Sequence, residues 1–273
     1  GIALHMHHDA KGFLPHATYN YIDGTGETTP QYGSTQNRRC WLHDILPYIE
    51  QGALYSRFQA HMLTGATALD FADHNTVLPT LMCPSDPIGP KLNTYWGAPP
   101  LPTQGFSGNF ITCAGSGYFN TGDSGSTPLA YASSAALDGV MYAVSKTRLV
   151  EINDGASNTA LVSELILVPD NGKHDIRGRY HNPAHSGVSF STLYPPNTPV
   201  PDVFNWCNSV NPQANAPCIY SGSNIFVLAR SYHMGGVNMT FADGSIKFVT
   251  NGITPSTYKA LGSRNGGEVP GPW

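Results

Sequence analysis

The order of hydrophobic and polar positions divides the chain into a helical beginning and a β-rich remainder. Positions 2–13 are typical of the end of a helix that breaks at Lys11-Gly12. Between residues 38 and 55, apolar side chains recur with the 3.6-residue period of a second helix. Pro47 either kinks that helix or occupies the first turn of a new one. The segment 20–36 is polar, rich in Gly and Thr, and is predicted to be a loop.

From residue 76 onward, short apolar runs are separated by Gly, Pro, Asn and Asp, which is typical of strands joined by turns. The clearest pair is 236–241 and 245–249, which flank Asp243-Gly244, a dipeptide that favours a two-residue hairpin turn. Further strands are predicted at 77–82, 139–144, 159–166 and 187–191. Long loops are predicted at 84–108, 115–135 and 192–222.

These patterns predict an α+β fold in which an N-terminal helix packs on an antiparallel sheet. We find no linker rich enough in Gly, Pro or Ser to separate two domains. The sequence therefore predicts one domain over 1–273, with a helical part at 1–58 and a β-rich part at 76–273.

Composition narrows the possible functions. Only 12% of the residues are charged, and 14 Lys and Arg face 18 Asp and Glu, for a net charge of −4. Such a low charge content argues against a helical bundle, and the absence of a basic run argues against nucleic acid or an anionic membrane surface as partner. No apolar stretch approaches the roughly 20 residues that cross a bilayer. Because the chain opens inside an amphipathic pattern, we expect that an upstream segment has been removed.

Five cysteines are present, and only Cys207 and Cys218 are close in sequence. They bracket a segment with two prolines and no helical or strand period, so a disulfide would restrain a loop that has no core of its own. We favour that bridge, which indicates an oxidising compartment, over two buried thiols. At least one of Cys40, Cys83 and Cys113 must stay unpaired. No Cys-x2-Cys pair is present, which argues against a zinc site.

A series of short motifs runs through the chain in a fixed order. They are Ala3-Leu4-His5-(x2)-His8-Asp9-Ala10, Trp41-(x4)-Leu46-Pro47-Tyr48-Ile49-Glu50-Gln51, Cys83-Pro84-Ser85-Asp86-Pro87, Asp138-Gly139-Val140, 152–159, Glu164, 175–179, 194–198, Pro201-Asp202 and His233-(x9)-Asp243-Gly244. Each motif alone is weak, but the ordered series resembles the planctomycete family of prepilin-like proteins with a C-terminal H-x9-DG motif, a family of unknown function. The resemblance spans nearly the whole chain.

The resemblance implies a pilin-like fold whose missing upstream segment is a prepilin cleavage motif and a long hydrophobic helix. It implies a structural subunit of an extracellular filament or a type II secretion pseudopilus, which assembles with copies of itself or related pilin-like subunits and is not an enzyme. Contact with the membrane would come only through the missing helix. The alternative is a cell-surface module that binds carbohydrate or another solute in the loops at 84–135 and 192–222.

The C-terminal motif allows two interpretations. His233 and Asp243 are a candidate metal or acid–base pair. However, Asp243-Gly244 is already explained as a hairpin turn, so we favour a structural role in which the His233 imidazole bonds to the loop before the strand.

The segment 154–159 is predicted to form a tight turn before a strand, with Asp154, Gly155 and Asn158 as its structural residues. The alternative is a Ca²⁺ loop, because Asp and Asn oxygens suit that cation and major pseudopilins hold Ca²⁺ in a loop. It lacks the spacing of an EF-hand. Asp170 and Asp175 belong to a second candidate loop of this kind, and Ca²⁺ is the one cofactor that the sequence suggests.

The N-terminal segment is rich in histidine. On a helix, His5, His8 and Asp9 share one face, which suits zinc or copper, whereas His7 points elsewhere and His16 lies beyond the helix. We favour packing or capping roles for these side chains, because a metal site needs three fixed ligands.

Two arginines are candidates for burial. Arg177 and Arg179 are predicted to form an ion pair with Glu164, because a buried Arg needs such a partner. The alternative is a guanidinium fork that binds an anion. No hydrolase elbow, H-E-x-x-H, phosphate loop or dinucleotide motif is present, so the sequence predicts no catalytic residue.

Overall fold

A computed structural model of the chain describes residues 1–19, 37–92, 104–119, 137–268 and 271. The loop predicted at 20–36 lies outside the described residues. Parts of the loops predicted at 84–108 and 115–135 do so as well.

The helical beginning is present but is divided differently from the prediction. Helix α1 is Ile2–Lys11 and ends at Gly12, which has a φ of 83° and donates its N–H to the His8 carbonyl. In place of one helix over 38–55, the chain forms α2 (Trp41–Ile45), a 3₁₀ turn (Leu46–Ile49) and α3 (Gly52–Met62). Pro47 lies in the first turn of the 3₁₀ segment, where its missing N–H costs no helical hydrogen bond.

A five-stranded sheet forms the centre of the β-rich part. Its order is β5-β3-β4-β8-β9, with β3 (Phe110–Gly115), β4 (Ala160–Glu164), β5 (Ser189–Ser191), β8 (Gly236–Phe241) and β9 (Ile246–Thr250). All neighbours are antiparallel except β3 and β5, so the sheet is mixed. The α+β prediction is confirmed. Helix α4 (Pro255–Gly262) follows β9.

Two small sheets are formed inside segments that were predicted to be loops. β1 (Lys91–Leu92) pairs antiparallel with β2 (Phe106–Ser107), and β6 (Asp202–Phe204) pairs parallel with β7 (Cys218–Tyr220). Their pairing is long-range, so no local pattern indicated it.

Two of the predicted strands are wrong. Residues 77–82 contain a 3₁₀ turn at Pro79–Leu81, because proline cannot donate to a strand ladder. Residues 139–144 form no strand and contribute a single bridge between Ala143 and Thr18. The strands predicted at 159–166 and 187–191 are present as β4 and β5.

The predicted hairpin is confirmed as β8–β9, but its turn has three residues, 242–244, instead of two. The Phe241 N–H bonds to the Ser245 carbonyl and the Gly244 N–H returns to the Phe241 carbonyl, both at 2.9 Å. Gly244 has a φ of 85°, as the last position of such a turn requires.

One hydrophobic core joins the helices to the sheet. Its members include Leu4 of α1, Trp41 of α2 and Tyr258 of α4, together with Met239 and Phe241 of β8. No helix in the described ranges has both the length and the apolar character needed to cross a membrane.

Candidate functional site

Three motif residues that are distant in sequence meet at the end of β4. Glu164 is the last residue of that strand, Cys83 comes from the Cys-Pro-Ser-Asp turn, and His233 precedes β8. His233 Nε2 lies 2.9 Å from Glu164 Oε1 and 3.5 Å from Cys83 Sγ. We call these residues the Cys–Glu–His cluster. Within the described ranges, it is the one group of three or more Cys, His, Asp or Glu ligand atoms that all lie within 4.8 Å of one another.

The position of Cys83 is set by the buried side chain of Asn109. The Cys83 N–H donates to Asn109 Oδ1 at 2.8 Å, while Asn109 Nδ2 donates to Asp86 Oδ2 at 2.6 Å and to the Leu165 carbonyl at 2.9 Å. Asp86 in turn accepts the N–H of Leu167. The turn that carries Cys83 is therefore bound on both sides to the chain that follows Glu164.

The position of His233 is set by a second polar network. Its N–H donates to Ser231 Oγ at 3.1 Å, and that hydroxyl donates to the Gly236 carbonyl at 2.8 Å. Asn197 accepts the Ser231 N–H and donates to the same Gly236 carbonyl. Thus the Tyr-Pro-Pro-Asn motif holds the turn from which the imidazole reaches β4.

The Glu164 carboxylate is buried and accepts hydrogen bonds from neutral donors of the neighbouring strand. Oε2 accepts the Asn238 N–H at 2.7 Å, and Oε1 accepts Asn238 Nδ2 at 3.3 Å. The Glu164 side chain is 3% exposed, whereas that of His233 is 29% exposed, so the cluster opens to solvent on the histidine side. Burial, reinforced by the charge of Glu164, raises the pKa of Cys83.

The cluster does not have the geometry of a nucleophilic relay. In such a relay one ring nitrogen receives the proton of the nucleophile while the other bonds to the carboxylate. Here the single atom Nε2 faces both the thiol and the carboxylate. The three side chains therefore bring a sulfur, a nitrogen and an oxygen atom together without the order of donors that a relay needs.

The candidate pair of His233 and Asp243 is not formed. Strand β8 lies between the two residues, and Asp243 Oδ1 accepts the N–H and the hydroxyl of Ser245 at 2.9 and 2.6 Å. Asp243 and Gly244 form the hairpin turn as predicted. The expected bond from the imidazole to the loop before β8 is not the contact that Nε2 makes. Nε2 instead faces Cys83 and Glu164, which lie 150 and 69 residues away, so no sequence pattern indicated them.

Asp154, Gly155 and Asn158 form the predicted turn before β4. Gly155 has a φ of 95°, and the Asn158 N–H returns to its carbonyl at 2.9 Å. The Asp154 carboxylate accepts the N–H groups of Gly266 and Gly267 at 2.7 and 2.9 Å. This turn therefore also fixes the segment after α4.

The other two calcium candidates bond to cationic side chains. Asp170 Oδ1 lies 3.2 Å from the Lys91 ammonium, which is buried. Asp175 binds the guanidinium of Arg177. The three carboxylates of the calcium hypothesis thus lie in different bonding environments, and calcium binding stays a prediction.

The predicted ion pair between Glu164 and the two arginines is wrong. Arg177 donates to Asp175 Oδ2 at 2.8 Å and to Asp202 Oδ2 at 2.5 Å. Arg230, which the sequence did not single out, donates to Asp202 Oδ1 at 2.9 Å. We call these four residues the Asp–Arg network.

The charges of the Asp–Arg network stabilise one another. Burial by itself raises the pKa of Asp175, but the charge and hydrogen bonds of Arg177 outweigh burial, so that this pKa lies below its ordinary value. Burial likewise opposes the charged form of Arg177, and the two aspartates outweigh it and raise its pKa.

Arg179 is buried, and its hydrogen-bond partners are neutral groups. Its guanidinium donates to Gln104 Oε1, lies 3.0 Å from His174 Nε2 and contacts the Asn182 carbonyl. Burial lowers the pKa of Arg179 to about 9. Its burial was predicted correctly, but its partners were not.

The N-terminal histidines have packing contacts, as the favoured interpretation proposed. His7 is buried with Nδ1 at 3.1 Å from the Phe13 carbonyl, and His8 Nε2 accepts the Leu149 N–H at 3.3 Å. His16 is buried beyond the helix end.

The predicted disulfide between Cys207 and Cys218 is confirmed, and Cys40, Cys83 and Cys113 are buried thiols. A structural disulfide is typical of proteins from oxidising compartments. Cys218 begins β7, and the carbonyl of the preceding Pro217 accepts the N–H of Asp202, so this end of the bridge lies next to the Asp–Arg network.

Comparison with known proteins gives a family without an assigned activity. No curated protein and no solved structure matches the chain. The family model SBP_bac_10, described as "Protein of unknown function (DUF1559)", matches residues 1–256, a range that contains the Cys–Glu–His cluster and the C-terminal hairpin. The chain therefore belongs to the DUF1559 family.

Proposed function

We propose that the chain is the head of a pilin-like structural subunit, which assembles with copies of itself or related subunits into an extracellular filament or a type II secretion pseudopilus. Its location would be the cell surface, and its role would be assembly instead of catalysis. The observation that carries this proposal is a set of exposed apolar side chains where α1 meets the β8–β9 hairpin.

Helix α1 has two faces. Leu4 and His7 are buried against the core, whereas Ile2 is 79% and Met6 is 46% exposed. Ile2 and Met6 lie one helical turn apart and therefore share a face. A helix with an apolar stripe on its outer side favours packing against another helix.

The hairpin adds a second exposed apolar surface beside α1. Ile246 is 69% and Phe248 is 45% exposed, on the strand at the edge of the sheet. Ile246 is paired with Thr240, so both side chains project from the same face. A Cβ on Gly1 would lie 3.2 Å from Thr240 Cγ2, which brings the start of α1 next to this surface.

An apolar surface of this kind favours burial against a partner. Apolar area gains about 25 cal/mol per Å² when it leaves water, and interface cores are poor in charged residues. We propose that the α1 helix of a neighbouring subunit covers Ile2, Met6, Ile246 and Phe248.

Incorporation of the full-length protein in its producing cell tests the proposal. Met6→Glu and Ile246→Glu are expected to reduce the amount recovered in sheared surface filaments or in cross-linked oligomers by at least tenfold, because a charge would enter the interface. Val210→Glu and Leu63→Glu are matched controls, since these side chains are 63% and 66% exposed elsewhere. They should assemble like the unmodified protein.

Two outcomes would contradict the proposal. One is full incorporation of the Met6→Glu and Ile246→Glu variants, and the other is recovery of the protein only as a free monomer. A thermal shift with a defined glycan would instead favour the carbohydrate-binding alternative, because a ligand that binds only the folded state raises Tm.

A further inference from the structure

We infer that the Cys–Glu–His cluster binds one Zn²⁺ through Cys83 Sγ, Glu164 Oε1 and His233 Nε2, with the fourth position open to a water molecule. This inference is independent of the assembly proposed above. Three observations support it: the spacing of the donor atoms, the competition for one nitrogen, and the balance of charge.

The spacing of the donors suits a tetrahedral ion. With Zn–S near 2.3 Å and Zn–N near 2.05 Å, a tetrahedral angle separates sulfur and nitrogen by about 3.5 Å. The observed distance between Cys83 Sγ and His233 Nε2 is 3.5 Å. Nitrogen and oxygen ligands would be about 3.4 Å apart, so the 2.9 Å contact between His233 and Glu164 would lengthen by roughly half an ångström.

The hydrogen bonds of the cluster compete for one atom. A neutral ring nitrogen either donates a proton or accepts one. If Nε2 donates to Glu164, it has no lone pair for the Cys83 thiol, and if it accepts from the thiol, it faces the carboxylate with no proton between them. A cation would bind the sulfur, nitrogen and oxygen lone pairs together, whereas without one the sulfur accepts hydrogen bonds from Ser85 and only one of the two contacts of Nε2 can be a full hydrogen bond.

The charges also balance. Binding of Zn²⁺ transfers the Cys83 thiol proton to solvent, and the ion then faces one thiolate, one carboxylate and one neutral imidazole. The net charge of the occupied cluster is zero, which suits a site where Glu164 is 3% exposed. A mixed sulfur, nitrogen and oxygen set favours zinc, whereas Ca²⁺ takes only oxygen ligands.

The surroundings provide the support that a metal site needs. Asn109 fixes the turn of Cys83, Asn238 binds both carboxylate oxygens of Glu164, and Ser231 fixes the turn of His233. The imidazole is 29% exposed, so an ion has access from solvent and the fourth ligand has room on that side. The missing Cys-x2-Cys pair excludes only zinc sites whose ligands are close in sequence.

Titration of the chelator-treated chain with Zn²⁺ tests the inference. We expect one equivalent to bind, and Glu164→Gln, Cys83→Ser and His233→Gln each to weaken binding at least tenfold, because each removes a ligand. Cys113→Ala and His61→Gln are matched controls outside the cluster and should bind like the unmodified chain. His5→Ala with His8→Ala should also leave binding unchanged, which separates the cluster from the N-terminal histidines.

Cobalt provides a second readout that a purely structural role would not affect. Co²⁺ in this site should show a thiolate-to-metal absorption band in the near ultraviolet, and Cys83→Ser should lose it. Far-ultraviolet circular dichroism shows whether Cys83→Ser folds. If it does not, the test uses His233→Gln, because that side chain is partly exposed and its replacement disturbs the fold less. Substoichiometric zinc, a cobalt spectrum without the sulfur band, or unchanged affinity in His233→Gln would overturn the inference.

Discussion

The Asp–Arg network and the Cys–Glu–His cluster are both built from motif residues, but they differ in how their polar groups are matched. In the network, Asp175 and Asp202 face two guanidiniums, and all four side chains are 1% exposed or less. Further guanidinium N–H groups donate to backbone carbonyls, including those of Thr198 and Ala216. In the cluster, one nitrogen serves both a thiol and a carboxylate, and the site opens to water.

This difference separates a structural role from a ligand-binding role. A group of charges that satisfies itself internally has no capacity left for a ligand, and its removal leaves an unpaired buried charge. A group whose donors and acceptors do not match can still bind a ligand. Burial of ionisable residues is therefore a poor guide to function by itself, whereas the balance of partners is informative.

The largest expected effect comes from breaking the network. Asp202→Ala leaves Arg177 and Arg230 without a shared carboxylate in the interior, so the free energy of unfolding should fall by about 3–5 kcal/mol. Glu164→Gln, which keeps an acceptor for the Asn238 N–H, should cost less than half as much. Urea denaturation measures both. Equal losses in the two variants would show that the comparison is mistaken.

A control for this prediction is Asp73→Ala. Asp73 pairs with Arg57, and both side chains are at least one-third exposed. Exposed pairs contribute about 0–1 kcal/mol, so this variant should denature almost like the unmodified chain.

The disulfide is expected to have the next largest effect. It spans 11 residues, and replacing Cys207 and Cys218 with serine should lower the free energy of unfolding by about 3 kcal/mol. Zinc affinity should not change, because the loop contributes no residue to the cluster. The measurement is urea denaturation with a zinc titration of the same variant, and loss of zinc binding would show that the two regions are coupled.

Buried neutral histidines make the free energy of unfolding depend on pH, and this dependence differs from that of the Asp–Arg network. Burial, with the charges of neighbouring groups, lowers the pKa of His181 to about 3, and burial lowers that of His43 well below its ordinary value of 6.5. The unfolded chain then binds more protons than the folded one below pH 6.5. Stability should therefore fall with decreasing pH, by up to about 1.4 kcal/mol per pH unit for each histidine.

The Asp–Arg network loses its stabilising effect in a different, more acidic pH range. Because the folded pKa of Asp175 is depressed, its stabilisation is present above the ordinary value of 3.8 and is lost as pH falls below it. Denaturation between pH 7 and 5 should become less dependent on pH in His181→Gln but not in Asp175→Asn. The reverse result would assign the acid sensitivity to the network.

The smallest effect is expected at the hairpin turn. Gly244→Ala places a Cβ at a φ of 85° and should cost about 1 kcal/mol, whereas Gly252→Ala, with open space and no positive φ, should cost less. Neither change should alter zinc affinity, since β8 separates Gly244 from His233. A zinc defect in Gly244→Ala would mean that the two ends of the C-terminal motif act together.

Local interactions explain which predictions from the sequence are confirmed. The end of α1 at Gly12, the β8–β9 hairpin, the turn at Gly155 and the disulfide between Cys207 and Cys218 each depend on residues close in sequence. In each case a few neighbouring residues determine the backbone conformation or the length of the loop.

Predictions that needed a distant partner were wrong or were missed. The interpretation of 77–82 as a strand counted apolar residues, but the segment forms a 3₁₀ turn, and Pro79 has no N–H to donate to a strand ladder. The ion pair of Arg177 with Glu164 was inferred from scarcity of charge, yet Asp202 and Asp175 provide the carboxylates.

By itself, the sequence determined the α+β class, the sites of its turns and the family to which the chain belongs, because these follow from local periodicity and ordered motifs. Only the tertiary structure decided which motif residues meet. Long-range pairing in the sheet brings Cys83 and His233 to the end of β4 beside Glu164, and no spacing along the chain encodes a contact that strand order creates.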